Sequence, residues 1–119
     1  MEGILVPRLI GGLEELADKS IQETLWLGKL DGQMGSFAEA VCYVFNDSGL
    51  DVYLNPLSPK YKKLPREIRL KAEELAKLVH RIPQGVSDIE VIQHPNMNAV
   101  RTVAAEFLEL LRNKSLCTQ

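Results

Sequence analysis

Two cysteines, two histidines and one tryptophan are all that 119 residues hold of the side chains most often used for thiol, imidazole or indole chemistry. Cys42 and Cys117 lie about seventy residues apart, the second in a polar tail, so no disulfide is expected between them and neither is assigned a chemical role. Cys42, between Val41 and Tyr43, is expected as a small buried hydrophobe. His80 and His94 stand in neither His-x-x-x-His nor Glu-x-x-His spacing, and Asp88 and Glu90 would join them only through folding. No metal and no cofactor is expected. His80 reads as the rim of a helix and His94, before Pro95, as a cap.

Long apolar runs are missing too. Stretches such as Ile4 to Val6 or Val103 to Ala105 fall far below the roughly 18 residues of a membrane span. The opening Met1-Glu2-Gly3-Ile4-Leu5-Val6-Pro7-Arg8 has no basic leader followed by an apolar core. These features set the expectation of a cytoplasmic protein with no membrane partner. Gly28 to Gly35 holds three glycines, but without the four-residue spacing and the Lys-Ser/Thr that wrap a phosphate, so it reads as a plain loop. No Ser-His-Asp or Cys-His arrangement is present, and Glu14-Glu15, Asp47-Asp51, Glu73-Glu74 and Glu106-Glu109 sit mostly at spacings of a solvated helix face. Catalytic residues: none; the chain is not expected to be an enzyme.

What the chain does have is helix punctuation. Three of its six serines precede a glutamate by three residues: Ser20 to Glu23, Ser36 to Glu39 and Ser87 to Glu90. In that spacing the hydroxyl accepts from the N–H three residues on and the carboxylate reaches back. At this length roughly two thirds of the unfolded chain's surface can be buried. With 45% hydrophobic and 25% charged residues, one domain over 1–119 is expected, with a frayed tail from about 113.

Pro7 suits a first helical turn, and Leu9, Ile10, Leu13, Leu16 and Ala17 follow at helical spacing, weakened by Gly11 and Gly12. A second helix from Ser20 carries Ile21, Leu25 and Trp26, the tryptophan pointing to the core. From Ser36 to Asn46 one face holds Phe37, Ala40, Val41, Val44 and Phe45. A hairpin over 41–54, turning at Asn46-Asp47-Ser48-Gly49, is the alternative there. Ile68, Ala72, Leu75, Val79 and Ile82 mark the longest helix, ending near Pro83, with Glu73 and Lys77 spaced as an ion pair. Ser87 to Gln93 reads as a short helix or a strand. Pro95 opens a last helix through Val100, Val103, Ala104, Phe107, Leu108 and Leu111. The expected fold class is all-α, a compact domain of five or six short helices; with a hairpin near 41–54 it would be α+β.

Charge is unevenly placed. Residues 1–59 hold nine acids against three bases, a net of -6, and residues 60–119 seven against eleven, a net of +4. Between 60 and 71 lie six bases, one acid and Tyr61, a composition suited to phosphates and base stacking. Lys60, Tyr61, Lys62, Lys63, Arg66 and Arg69 are therefore the candidates for nucleic-acid binding. The acidic pI of 5.7 argues for a solvated segment that attracts the first half instead.

The order Leu13-Glu14-Glu15-Leu16-Ala17-Asp18, Ile21-Gln22, Leu25-Trp26, Ser36-Phe37 and Val41 to Asn46-Asp47-Ser48-Gly49-Leu50 resembles a group of small bacterial helical proteins. Some of that group look like immunity proteins of polymorphic or contact-dependent toxin systems. His94-Pro95, Val100-Arg101, Ala104 and Phe107-Leu108 resemble its closing helix, so the likeness covers about half of the chain; Asn46 departs from the acid and Met97 from the aromatic often found there. The resemblance implies no catalytic residues and a protein partner, a cognate toxin whose active site or adjacent surface is blocked. With the acidic first half facing a basic nuclease, Glu14, Glu15, Asp18, Asp47 and Asp51 are the expected partner-binding residues. The competing expectations are a nucleic-acid module using 60–71 and a small enzyme with a concave polar pocket.

Overall fold

The computed structural model describes residues 4–28 and 35–113. Among these it holds seven α-helices and no strand, so the helical reading of 41–54 stands and the hairpin does not. Most of the Gly28 to Gly35 loop, and the tail with Cys117, lie outside the described residues.

α1, Val6–Ala17, begins with Pro7 in its first turn and buries Leu9, Leu13 and Leu16. Asp18 then ends α1 and caps α2, Lys19–Trp26, its carboxylate accepting from the N–H groups of Ser20 and Ile21 at 2.8 and 3.2 Å. The expected cap at Ser20 is thus displaced two residues upstream. An aspartate earlier in the chain takes the orphan donors of the first turn, which leaves Ser20 inside the helix. The other two serines cap as expected: Ser36 accepts from the N–H of Glu39 at the start of α3, Phe37–Cys42, and Ser87 from that of Glu90 at the start of α6, Asp88–Gln93, where the Glu90 carboxylate accepts from the Ser87 hydroxyl.

α3 does not run straight on to Asn46. Over Tyr43–Asp47 it widens into a π turn, beyond which Gly49, at φ 85°, reverses the chain into α4, Leu50–Leu54. Only glycine adopts that left-handed φ without strain. Buried Ser48 stitches the junction, donating its hydroxyl to the Val44 carbonyl at 2.5 Å and accepting from the Leu50 N–H at 3.2 Å. Cys42 is exposed, contrary to the sequence reading, because Ala40 and Val44 take the inward face.

A 3-10 turn, Tyr61–Lys63, leads to α5, Arg66–His80, and the chain closes with α7, Pro95–Asn113. α7 opens at Pro95 as expected and runs 19 residues, against 15 for α5. His94 caps it, Nδ1 accepting from the Asn96 N–H at 3.1 Å. Lys71 of α5 pairs with Glu74 and with Glu106 of α7, at 3.2 and 3.1 Å, and the expected pair of Glu73 with Lys77 is not formed among the described residues.

α1 lies at the centre, between α7 on one side and α3 with the π turn on the other; α5 packs on α7. Its contact with the π turn is close because of Gly12. A Cβ there would stand 2.7 Å from Val44 Cγ2, 3.0 Å from Tyr43 Cβ and 3.1 Å from the Ala40 carbonyl oxygen. The Leu5 N–H donates to the Ser48 carbonyl at 2.8 Å, so α1 runs antiparallel to α3 and the π turn. Two ends of α1 are thereby defined: one beside Ser48, the other at Asp18.

Candidate binding surface

At the Asp18 end the polar groups turn inward. Glu15, on the inner face of α1, accepts from Trp26 Nε1 at 2.6 Å, and both side chains are buried. Phe37 meets the indole edge to face, with ring centroids 5.9 Å apart. Burial pushes the Glu15 carboxyl above its ordinary range and nearby Glu39 adds to this, while the indole N–H acts in the opposite sense.

Gln22, fully buried, donates to the Glu15 and Leu16 carbonyls at 3.0 and 2.8 Å and so closes the last turn of α1. Its own oxygen accepts from Arg101 Nε at 3.0 Å. The guanidinium also donates to the Ile92 carbonyl and to Asn98 Oδ1, tying α2, α6 and α7 together. Desolvation lowers the Arg101 pKa, with the charge of Glu23 opposing. The polar groups of this cluster are spent on one another and on the main chain.

The five acids expected to meet a partner are therefore not one patch. Glu15 is an interior acceptor. Glu14 is exposed and lies 3.9 Å from Arg112 of α7, and Asp18 caps α2. Asp47 and Asp51 are both exposed, at the other end of α1, on either side of Gly49. The twelve residues of α1 separate Leu5 from Asp18, about 20 Å at the helical rise.

Beside Asp47 and Asp51 the surface carries two large apolar side chains. Leu5 is 57% exposed, with its backbone bonded to Ser48, and Val52, next to Asp51 in α4, is 46% exposed. Neither is among the residues expected from sequence. Val52 becomes legible once helix is chosen over hairpin: in α4, Leu50 and Tyr53 face inward, leaving 51 and 52 outside. Leu5 is hidden in an apolar run whose inward member is Ile4.

The basic segment is partly engaged. Lys60 lies over the Tyr53 ring at 5.5 Å and Arg69 over Tyr61 at 4.8 Å, so one face of the expected stacking ring is already covered. Lys62, Lys63 and Arg66 are exposed. An open concavity of about 420 Å³ between α5 and α7 is lined by Lys71, Ala105, Glu106, Glu109, Leu110 and Asn113. Glu106 holds the Lys71 ammonium above its ordinary pKa there. Among the described residues no group of three or more His, Cys, Asp or Glu could hold a metal ion, and no helix is long and apolar enough to cross a membrane. The chain matches no protein-family model, no curated protein and no solved structure.

Proposed function

We propose that this protein is a non-enzymatic, immunity-type binding module that neutralises a basic toxin of the nuclease kind, using the surface around the π turn and α4. The observation that carries the reading is the joining of two exposed carboxylates, Asp47 and Asp51, with two exposed apolar side chains, Leu5 and Val52, at one end of α1. Charges at an interface speed the encounter with a partner of opposite sign, and apolar contacts that lose water slow its departure. The local backbone suits that task. Ser48 and Gly49 fix the turn between the acids, and single π turns occur frequently at functional sites.

The sequence likeness to immunity proteins supplies the class of partner, and the negative first half supplies the sign of its charge. Co-expression tests this. A reading frame adjacent to the gene, lethal when expressed alone, should be tolerated together with this chain, and tolerance should fail with Asp47→Asn/Asp51→Asn. A neighbourhood without such a frame, or protection indifferent to both aspartates, would remove the proposal.

A further inference from the structure

A second surface, opposite in charge to the acidic one and packed against α4, is built around the turn that follows it. From Val52 to Arg66 the chain has four bases and no acid, with Asn55-Pro56-Leu57-Ser58-Pro59 leading into them. Successive tight turns hold this stretch. Asn55 Oδ1 accepts from the Leu57 N–H at 3.0 Å, the Asn55 carbonyl from Ser58 at 2.9 Å, the Ser58 carbonyl from Tyr61 at 3.1 Å and the Lys60 carbonyl from Lys63 at 2.9 Å. Pro56 and Pro59 fix φ on either side of the tip.

At that tip Leu57 is 92% exposed, the most exposed of the large apolar side chains among the described residues. An exposed leucine alone is ordinary. Here it is held out on a stiffened turn, with Lys60, Lys62, Lys63 and Arg66 following within nine residues. An apolar tip followed in the chain by exposed bases has two complementary demands, a medium that accepts a hydrocarbon side chain and a sheet of negative charge beside it. A bilayer of anionic lipid meets both, at the boundary between head groups and acyl chains. A nucleic acid would use the charge but has less use for the leucine, and the ring best placed for stacking, Tyr61, already lies under Arg69.

We propose that the 55–66 turn is a peripheral docking site for an anionic lipid bilayer, with Leu57 entering the head-group region and the exposed Lys62, Lys63 and Arg66 facing the lipid phosphates. Docking of this kind is reversible, and each base near the surface contributes about fivefold to partitioning. The test is flotation of the full chain with vesicles of phosphatidylcholine alone and of phosphatidylcholine mixed three to one with phosphatidylserine. Duplex and single-stranded oligonucleotides are titrated in parallel.

Binding is expected only to the mixed vesicles. It should weaken about tenfold with Leu57→Ser and about 25-fold with Lys62→Gln/Lys63→Gln. All of these positions are exposed, and circular dichroism checks that each variant is folded. Absence of binding to the mixed vesicles overturns the proposal. So does vesicle binding indifferent to Leu57 and the lysines. Oligonucleotide binding that exceeds vesicle binding and ignores Leu57 would assign the segment to nucleic acid instead.

Discussion

At the Asp18 end of α1, Glu15 accepts from Trp26 and Gln22 holds two main-chain carbonyls, whereas at the Ser48 end Asp47 and Asp51 face water beside Leu5 and Val52. Both ends are rich in polar side chains. At the first they complete the fold, and their loss should be felt as stability. At the second they serve nothing inside the domain beyond local turns, and their loss should be felt by a partner. Acid content by itself therefore says little about function; what matters is whether a carboxylate's acceptor capacity is already engaged within the fold.

The largest expected effect sharpens that contrast. Gln22→Ala removes the donors to the Glu15 and Leu16 carbonyls and the acceptor for Arg101, all in a fully buried place. Denaturant unfolding should show a loss of about 2–4 kcal/mol. Next comes the seam between the two ends. Gly12→Ala places a methyl group 2.7 Å from a buried valine carbon and 3.1 Å from a main-chain oxygen. We expect a loss of about 1–3 kcal/mol from overpacking. Gly11, its neighbour, is exposed, and a Cβ added there would meet nothing within 4 Å, so Gly11→Ala should stabilise by up to about 1 kcal/mol. Equal effects at the two glycines would break the packing account.

The Glu15 end should also carry a pH signature. Its folded pKa lies above the ordinary carboxylate value, so the native state holds the proton more tightly than the unfolded chain. Stability contributed by this group is therefore greatest at low pH and declines as pH rises from the carboxylate range through the raised folded pKa. Unfolding midpoints measured from about pH 4 to about pH 8 should show that decline. Glu15→Gln, which keeps an acceptor for Trp26, should flatten it. The smallest effect belongs to the other end: Asp47→Asn/Asp51→Asn should shift unfolding by no more than about 0.5 kcal/mol.

Much of this architecture is legible where the signal is local. Ser36, Ser87 and His94 cap the helices that follow them because the donors lie two or three residues on. Ser20 misleads because Asp18 offers the same chemistry two residues earlier, and a box pattern does not rank competing acceptors. Cys42 misleads because its apolar neighbours on both sides mask a helical period that puts Ala40 and Val44 inside. The π turn is accompanied by a Ser48 to Val44 bond that no periodicity announces.

The candidate sites are harder to read. Glu14 and Glu15 look alike in sequence, and only Trp26, eleven residues on, draws one of them inward. Gln22 and Arg101 meet across 79 residues, beyond the reach of any local pattern. Leu57 and Val52, in contrast, are apolar residues whose exposure follows only once the turns around them are known.

The central claim is that the Ser48 end of α1 is a recognition surface steered by charge. The direct test is the association rate of the chain with the proposed toxin partner as a function of salt, for the wild type and for Asp47→Asn/Asp51→Asn. The wild-type rate should fall steeply with ionic strength, and the variant should be slower by roughly tenfold at low salt with a flatter dependence. Identical rates and slopes for the two proteins would contradict it.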